Sequence, residues 1–239
     1  MLKRVLGGAR GYLEDALMYA SCRLSGEPYS SYYGKRMDRI VRRNPQWGLN
    51  LNKRFQLDYL VKQGLSSNSC LLDYGCGAAA AGIHFIGYLD AEQYVGVDVS
   101  GAAIHEAQRR IANLGLDRKR PRFLLLTDMD LQPVATIKFD FIWAQSVLTH
   151  MPPEDVRALF RSMATFMTED GIFFANFARG EGEPRQRRLK DWYFAPSFLK
   201  REAEAAGMAA TIMGDWNHPN DESGRDTMLR MTRVEDDGK

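Results

Sequence analysis

Three aspartates and two glycines occupy spacings that suit a nucleoside-containing ligand. Asp73, Asp98 and Asp128 each follow a short apolar run, and Gly75 and Gly77 form a turn directly after the first run. Glycines allow the backbone to approach a ligand and to point N–H groups at it. Asp98 is suited to accept hydrogen bonds from ribose hydroxyls, Asp128 from an adenine amino group, and Asp73 from a cationic or amino-bearing ligand. Helix-capping aspartates around a turn without a ligand are the simpler but weaker interpretation.

These residues meet only if a parallel sheet brings the strand ends to one edge. Between residues 69 and 177, short apolar runs alternate with helical patterns, and the predicted strands are CLLDYG, YVGVDVS, RFLLLTD, FDFIWAQ and IFFANF. Two more strands, near residues 209–213 and 227–233, have a connection too short for a crossover helix, so they should be antiparallel. The pattern predicts an α/β, Rossmann-like fold with a mostly parallel seven-stranded sheet and a C-terminal antiparallel hairpin.

The remaining segments predict an N-terminal helical extension or lid, residues 1–64, before the main domain, residues 65–239. The candidate lid residues are Tyr32, Tyr33 and Arg36. Helices are expected over about residues 32–43 and 49–63, and another runs from Pro152-Pro153 to Asp170-Gly171. The polar stretch ARGEGEPRQRRLKDW is interpreted as a loop before a helix over about residues 196–206.

Composition excludes several classes of protein. The 239 residues are 45% hydrophobic and 26% charged, which fits one domain with a substantial core. A net charge of +2 does not indicate a nucleic-acid partner. Three scattered cysteines suit neither a disulfide framework nor zinc, and no metal site is expected. Cysteine usage and the lack of a signal-peptide pattern predict a cytoplasmic protein.

The segments around the aspartates resemble the class I family of S-adenosylmethionine-dependent methyltransferases. LLDYGCGAAAAG is similar to the family's glycine motif, VGVDVS to its ribose motif and TDMD to its adenine motif. FDFIWAQSVLTHMPPEDV and EDGIFFANF are similar to its fourth and fifth strands. The resemblance covers about residues 69–233, and Ala79 departs from it where many members have a third glycine.

This resemblance implies methyl transfer with S-adenosylmethionine as the cofactor. The implied donor-binding residues are Asp73, Gly75 and Gly77 near the methionine and ribose, Asp98 on the ribose, Val99, Asp128 and Met129 around the adenine, and the backbone of Ala144 and Gln145 at the amino-acid end. An NAD-dependent dehydrogenase is the chief rival. The acid two residues before the first glycine and the predicted terminal hairpin count against it.

His150, in the turn after the fourth strand, is the candidate general base. A hydroxyl acceptor needs a base, and imidazoles serve as bases near neutral pH. A structural role in the turn is an equally good interpretation. Candidates for acceptor binding are Tyr33 and Arg36 before the core, Trp192 and Tyr193 after a basic run, and His218 in a polar loop. For these residues, helix packing and solvated loops are the simpler interpretations.

The predicted acceptor is a hydroxyl of a sugar, a glycan or another small molecule. A protein or RNA methyltransferase and an inactive donor-binding partner subunit are the alternatives. Near the N-terminus, Leu2, Leu6, Leu13 and Leu17 form one apolar stripe beside basic residues. A helix packed on the main domain explains this stripe most simply, and peripheral contact with an anionic membrane is the other interpretation. The sequence indicates no oligomeric state.

Overall fold

A computed structural model describes residues 2–46 (side chains from residue 10), 53–127, 131, 134–219 and 226–234. Within these ranges the helices are α1 (Leu2–Leu24), α2 (Tyr29–Arg43), α3 (Arg54–Lys62), α4 (Gly82–Tyr88), α5 (Gly101–Asn113), α6 (Pro153–Phe166) and α7 (Pro196–Ala205). The strands are β1 (Leu71–Tyr74), β2 (Tyr94–Asp98), β3 (Arg122–Leu125), β4 (Phe139–Ala144), β5 (Met167–Arg179), β6 (Arg185–Arg187), β7 (Asp191–Phe194), β8 (Met208–Met213) and β9 (Asp226–Arg233).

All nine strands belong to one sheet. Its main path is β3-β2-β1-β4-β5-β7-β6, and β9 joins β5 to β8. Strands β1 to β5 pair in parallel, whereas β9 is antiparallel to both β5 and β8. The predicted Rossmann-like parallel sheet with a C-terminal antiparallel hairpin is therefore confirmed.

The central strands are buried on both faces, as parallel strands between helical layers must be. Leu71 and Leu72 of β1 are both fully buried, and so are Phe173 and Phe174 of β5. Because consecutive strand residues point to opposite faces, the members of each pair pack into two separate hydrophobic clusters, one on each side of the sheet.

Several element boundaries differ from the sequence-based expectations. Helix α6 ends at Phe166, and β5 already begins at Met167. Helix α2 begins at Tyr29, because Pro28 in an extended conformation precedes its first turn. The polar stretch expected to be a loop contains the β6–β7 hairpin, whose short strands lack an apolar run. Residues 47–52, which include the expected start of the helix over 49–63, lie outside the described residues.

Helix α1 packs on α2, and α2 packs on the start of α5, just after β2. Asp15 of α1 forms ion pairs with Arg36 and Arg39 of α2, at 3.0 and 2.5 Å. Asp38 of α2 accepts hydrogen bonds from the hydroxyl of Ser100 (2.6 Å) and from the backbone N–H of residue 102 (2.9 Å). These contacts fix α2 over the carboxyl end of β2. No helix in the described ranges has the length and apolarity needed to cross a bilayer.

Candidate active site

A left-handed turn after β1 forms one wall of the candidate site. Gly75 and Gly77 have φ angles of +81° and +53°, which favour glycine. A Cβ at Gly75 would lie 2.5 Å from a methyl group of Val147, whereas one at Gly77 would meet nothing within 4 Å. Ala79 also has a positive φ, +56°, at the position where many family members carry glycine. The backbone at Gly77 is therefore open to a ligand.

Asp98, the last residue of β2, is held against this turn. One carboxylate oxygen accepts from the N–H of Gly77 at 2.9 Å and the other from the N–H of Ser100 at 2.8 Å. Burial raises the pKa of Asp98, and these backbone donors counteract part of that effect. A carboxylate has about four lone-pair positions, so each oxygen retains one for a ligand hydroxyl.

A cavity of about 190 Å³ lies between this turn and α2. Its walls come from α2, the glycine turn, the end of β2, the segments after β3 and β4, and the first turn of α6. The sequence-predicted residues that it brings together are Tyr33, Gly75, Gly77, Asp98, Val99, Gln145 and His150.

Other predicted residues lie outside the cavity lining. Arg36 pairs with Asp15 on a neighbouring face of α2, and Ala144 is buried within β4. Trp192 packs partly against the core, the Tyr193 hydroxyl lies 3.5 Å from the Arg187 guanidinium, and the His218 ring contacts Phe55 with centroids 5.2 Å apart. Asp128 and Met129 lie outside the described residues. Ligand roles for all of these residues stay predictions.

Asp73 occupies a different environment from Asp98. It is 5% exposed, and its carboxylate accepts a hydrogen bond from the Tyr94 hydroxyl at 2.8 Å. Burial raises the pKa of Asp73 to about 7, and the bond from Tyr94 offsets only part of this effect. Asp73 therefore supports the strand that carries the glycine turn and is not part of the cavity surface.

His150 lies in the cavity wall, in a short 3₁₀ turn after β4. Its Nδ1 is 2.9 Å from the carbonyl oxygen of Lys190. A carbonyl oxygen only accepts hydrogen bonds, so Nδ1 carries the proton and Nε2 of the neutral ring keeps a free lone pair. The ring stacks on Tyr33, with centroids 5.0 Å apart and planes at 23°. This arrangement leaves one ring nitrogen able to accept a proton.

Three residues of this region were missed by sequence reasoning. Tyr29 lines the cavity, and its hydroxyl donates to the carbonyl of Leu189 at 2.9 Å. Asp155 also lines it, and burial, followed by repulsion from Glu154, raises the pKa of Asp155 to about 6. Asp191 lies 3.4 Å from the imidazole of His150. Of the three, only Asp155 had a feature in the sequence that could have indicated a site residue, because it follows the Pro-Pro helix start after β4.

Comparison with known proteins finds a family model that matches the middle of the chain. Residues 72–173 match the family described as "Methyltransferase domain". This range is less than half of the chain and runs from β1 into β5. An uncharacterised protein of Rickettsia prowazekii is 29% identical to this chain over 134 residues, which are 55% of this chain and 24% of the Rickettsia protein. The match thus spans about a quarter of that relative.

Solved methyltransferases share the fold of most of this chain. Magnesium protoporphyrin IX methyltransferase from Synechocystis PCC 6803, with bound SAH, has a TM-score of 0.61 at 15% identity, covering 87% of this chain and 100% of that one. The glycopeptide N-methyltransferase MtfA, also with SAH, has a TM-score of 0.59 at 14% identity, covering 77% and 90%. At these identities the comparison establishes the fold alone.

The cavity fits S-adenosylmethionine, the methyl donor that methyltransferase domains use. Asp98 has free acceptor positions for ribose hydroxyls, and the open backbone at Gly77 lies beside it. Met37, Val99 and Leu126 supply an apolar wall suited to an adenine ring. The bound donor supplies a methyl group already activated by its sulfonium. Among the described residues, no three His, Cys, Asp or Glu side chains are grouped to hold a metal ion.

Proposed function

We propose that this chain transfers a methyl group from S-adenosylmethionine to a hydroxyl of a sugar, a glycan or another small molecule. The observation that carries the proposal is the 2.9 Å contact between His150 Nδ1 and the carbonyl oxygen of Lys190, which assigns the proton to Nδ1 and so leaves Nε2 of the neutral ring unprotonated. A hydroxyl must lose its proton as the new C–O bond forms. His150 Nε2 accepts that proton, and the imidazolium later releases it to solvent.

The other cavity residues bind the acceptor and exclude water. Tyr29 and Tyr33 provide aromatic surfaces against which a sugar ring or an aromatic acceptor packs. The carboxyl of Asp155 is half-buried and accepts hydrogen bonds from further hydroxyls of the acceptor. Arg36, Trp192, Tyr193 and His218 are not used in this assignment. The fold leaves the acceptor class open, since its neighbours are named for a porphyrin and for a glycopeptide nitrogen.

Replacement of His150 tests the proposal. His150→Gln should lower the rate of methyl transfer to hydroxyl acceptors roughly 100-fold or more, which is the usual contribution of a positioned general base. Its affinity for SAH should stay within about twofold of the wild-type value, because His150 does not contact the carboxylate of Asp98. Release of SAH is measured with matched pairs of compounds: glucose and glucosamine, and tyrosol and tyramine. His84→Gln, outside the cavity, is the control.

The acceptor pairs separate the possible outcomes. Methylation of glucose or tyrosol that needs His150 supports the proposal. Full activity of His150→Gln on a hydroxyl compound removes His150 as the base. Methylation confined to the amino groups of glucosamine and tyramine overturns O-methylation.

We further infer that residues 1–64 act as a helical lid. Met37, Tyr33 and Tyr29 of α2 line the cavity, and Gly34 packs on the backbone of Val99. The cavity of about 190 Å³ is smaller than the roughly 300–1,000 Å³ of typical ligand pockets. In this proposal α2 moves outward when donor and acceptor enter and then closes over them.

We also propose that α1 contacts an anionic membrane surface. Leu13, Leu17 and Leu24 lie on one face of α1 and are 60%, 64% and 90% exposed. Leu2 and Leu6 have the same helical spacing, although their side chains lie outside the described residues. The Arg10 side chain beside this face is 80% exposed, so anionic headgroups complement the stripe better than an uncharged surface does.

Vesicle binding tests the role of the stripe. The chain should sediment with vesicles containing phosphatidylglycerol and not with pure phosphatidylcholine. Leu13→Gln/Leu17→Gln should weaken binding at least roughly tenfold, because each leucine loses its burial in the bilayer interface. Leu114→Gln, at a leucine 54% exposed elsewhere, is the control. The proposal fails if the wild type does not sediment with anionic vesicles. It also fails if the double variant loses self-association while its vesicle binding is unchanged.

A further inference from the structure

We infer that Asp191 is a positioning residue that holds His150 in its base-competent state. This role rests on the function proposed above and assigns a partner to the base, His150. One carboxylate oxygen of Asp191 lies 3.4 Å from His150 Nδ1, on the side of the ring away from the nitrogen that accepts the proton. Asp191 is 41 positions from His150 in the sequence, and the fold brings the two together.

The β6–β7 hairpin creates this contact. Strand β7 begins at Asp191 and pairs in parallel with the last residues of β5, at Ala178 and Arg179. Strand β4 has already ended at Ala144, so the start of β7 lies beside the turn that carries His150. The backbone carbonyl of Lys190 fixes the Nδ1 proton, and the side chain of the next residue adds a negative charge beside it.

The charges around His150 favour an ionised Asp191. Burial alone would raise the pKa of Asp191, but contacts with His150 and Lys190 outweigh burial and hold it at about 2. The Lys190 ammonium lies 2.5 Å from the same carboxylate oxygen. Tyr29 and Tyr33 of α2 also face this region, and burial raises the pKa of both phenols, so they stay neutral. Asp98 at the end of β2 and Asp155 of α6 are the carboxyls of the cavity lining.

Asp191 affects catalysis by acting on the charged form of the His150 ring. When Nε2 takes the acceptor's proton, the imidazole becomes an imidazolium, and a carboxylate at 3.4 Å stabilises that charge. The carboxylate also opposes rotation of the ring, which would place the protonated nitrogen toward the acceptor. Asp191 itself keeps its charge throughout and touches neither donor nor acceptor.

Nitrogen NMR of the full-length chain tests the inference without any acceptor. The chain has four histidines, so the His150 signals are assigned from the spectrum of His150→Gln. In the wild type, His150 should show the tautomer with the proton on Nδ1. In Asp191→Asn the share of the ring in this tautomer should fall, because the carboxylate that opposes ring rotation is gone. Lys190→Gln, which keeps the backbone carbonyl and Asp191, is the matched control and should keep the wild-type tautomer.

Steady-state kinetics give a second measurement, and their substrate is a hydroxyl compound of the acceptor panel that the chain methylates. Asp191→Asn should lower kcat roughly 10- to 100-fold with little change in KM for the donor, as loss of an orienting partner does. An identical share of the Nδ1-protonated tautomer of His150 in the wild type and in Asp191→Asn overturns the inference. Full activity of His150→Gln would instead reject the base itself, so the two failures are distinguishable.

Discussion

Asp98→Asn should weaken the affinity of the chain for SAH roughly 100-fold or more. An asparagine has one acceptor oxygen, whereas the carboxylate accepts from Gly77 and Ser100 and still has lone pairs for two ribose hydroxyls. The amide nitrogen of Asn only donates, so it would face the backbone N–H of Gly77 or of Ser100 with no acceptor between them. Hydrogen bonds to a charged group contribute about 1.5–3 kcal/mol each, so the loss of two accounts for this magnitude.

Isothermal titration calorimetry with SAH measures this effect, and it needs no knowledge of the acceptor. Asp170→Asn, at an exposed position of β5, is the matched control and should bind SAH as the wild type does. Circular dichroism checks that the Asp98 variant still folds, since the same carboxylate organises the turn before α5. Wild-type affinity in a folded Asp98→Asn variant would reject the ribose assignment.

The contrast between Asp73 and Asp98 shows what spacing predicts and what it leaves out. Both follow apolar runs and both precede turns, so the sequence presents them as equivalent strand ends. Strand β2 ends at Asp98, which reaches the cavity, but β1 continues to Tyr74. Because side chains alternate along a strand, Asp73 points into a face of the sheet and meets Tyr94 instead. A difference of one residue in strand length decides which carboxylate lines the cavity.

The sheet itself was predictable because its central strands carry continuous apolar runs. The segment IFFA of β5 has no alternating polar face, which is typical of strands buried between helical layers. The segment LLL was expected to be buried in the same way, but it lies at the edge strand β3, where Leu125 is 51% exposed. The β6–β7 hairpin has no such run. Residues 185–187 are all exposed and pair through backbone hydrogen bonds, so composition indicates a loop there. Asp191, at the start of β7, was missed for the same reason.

Tyr33 and Gly34 show a similar limit of sequence-based prediction, here for a helix. Their region was predicted to be helical, and Tyr33 was a candidate lid residue. Helical periodicity gives the face on which a residue lies but not the element that this face contacts. The packing of α2 on the backbone after β2 is a long-range contact that only the fold determines.

Gly34→Ala should lower both the thermal stability of the chain and its affinity for SAH. A Cβ at Gly34 would lie 2.4 Å from the carbonyl oxygen of Val99. That oxygen is backbone, so no side-chain rotation relieves the clash, and α2 must shift outward. The shift lengthens the hydrogen bonds from Ser100 and Ala102 to Asp38. Overpacking of this kind costs about 1–3 kcal/mol.

Whether Gly34→Ala raises or lowers the stability of the chain distinguishes the effect of lid packing from that of helix propensity. Alanine is the better helix former by about 1 kcal/mol, so propensity alone predicts that Gly34→Ala stabilises the chain. Gly11→Ala in α1 has nothing within 4 Å of its new Cβ and should show that stabilisation. Thermal unfolding and calorimetry with SAH compare the two variants, and Gly34→Ala should bind SAH roughly tenfold more weakly, a loss of about 1.4 kcal/mol. If both variants are stabilised and bind SAH equally well, α2 does not close over the donor, and the lid assignment of residues 1–64 is wrong.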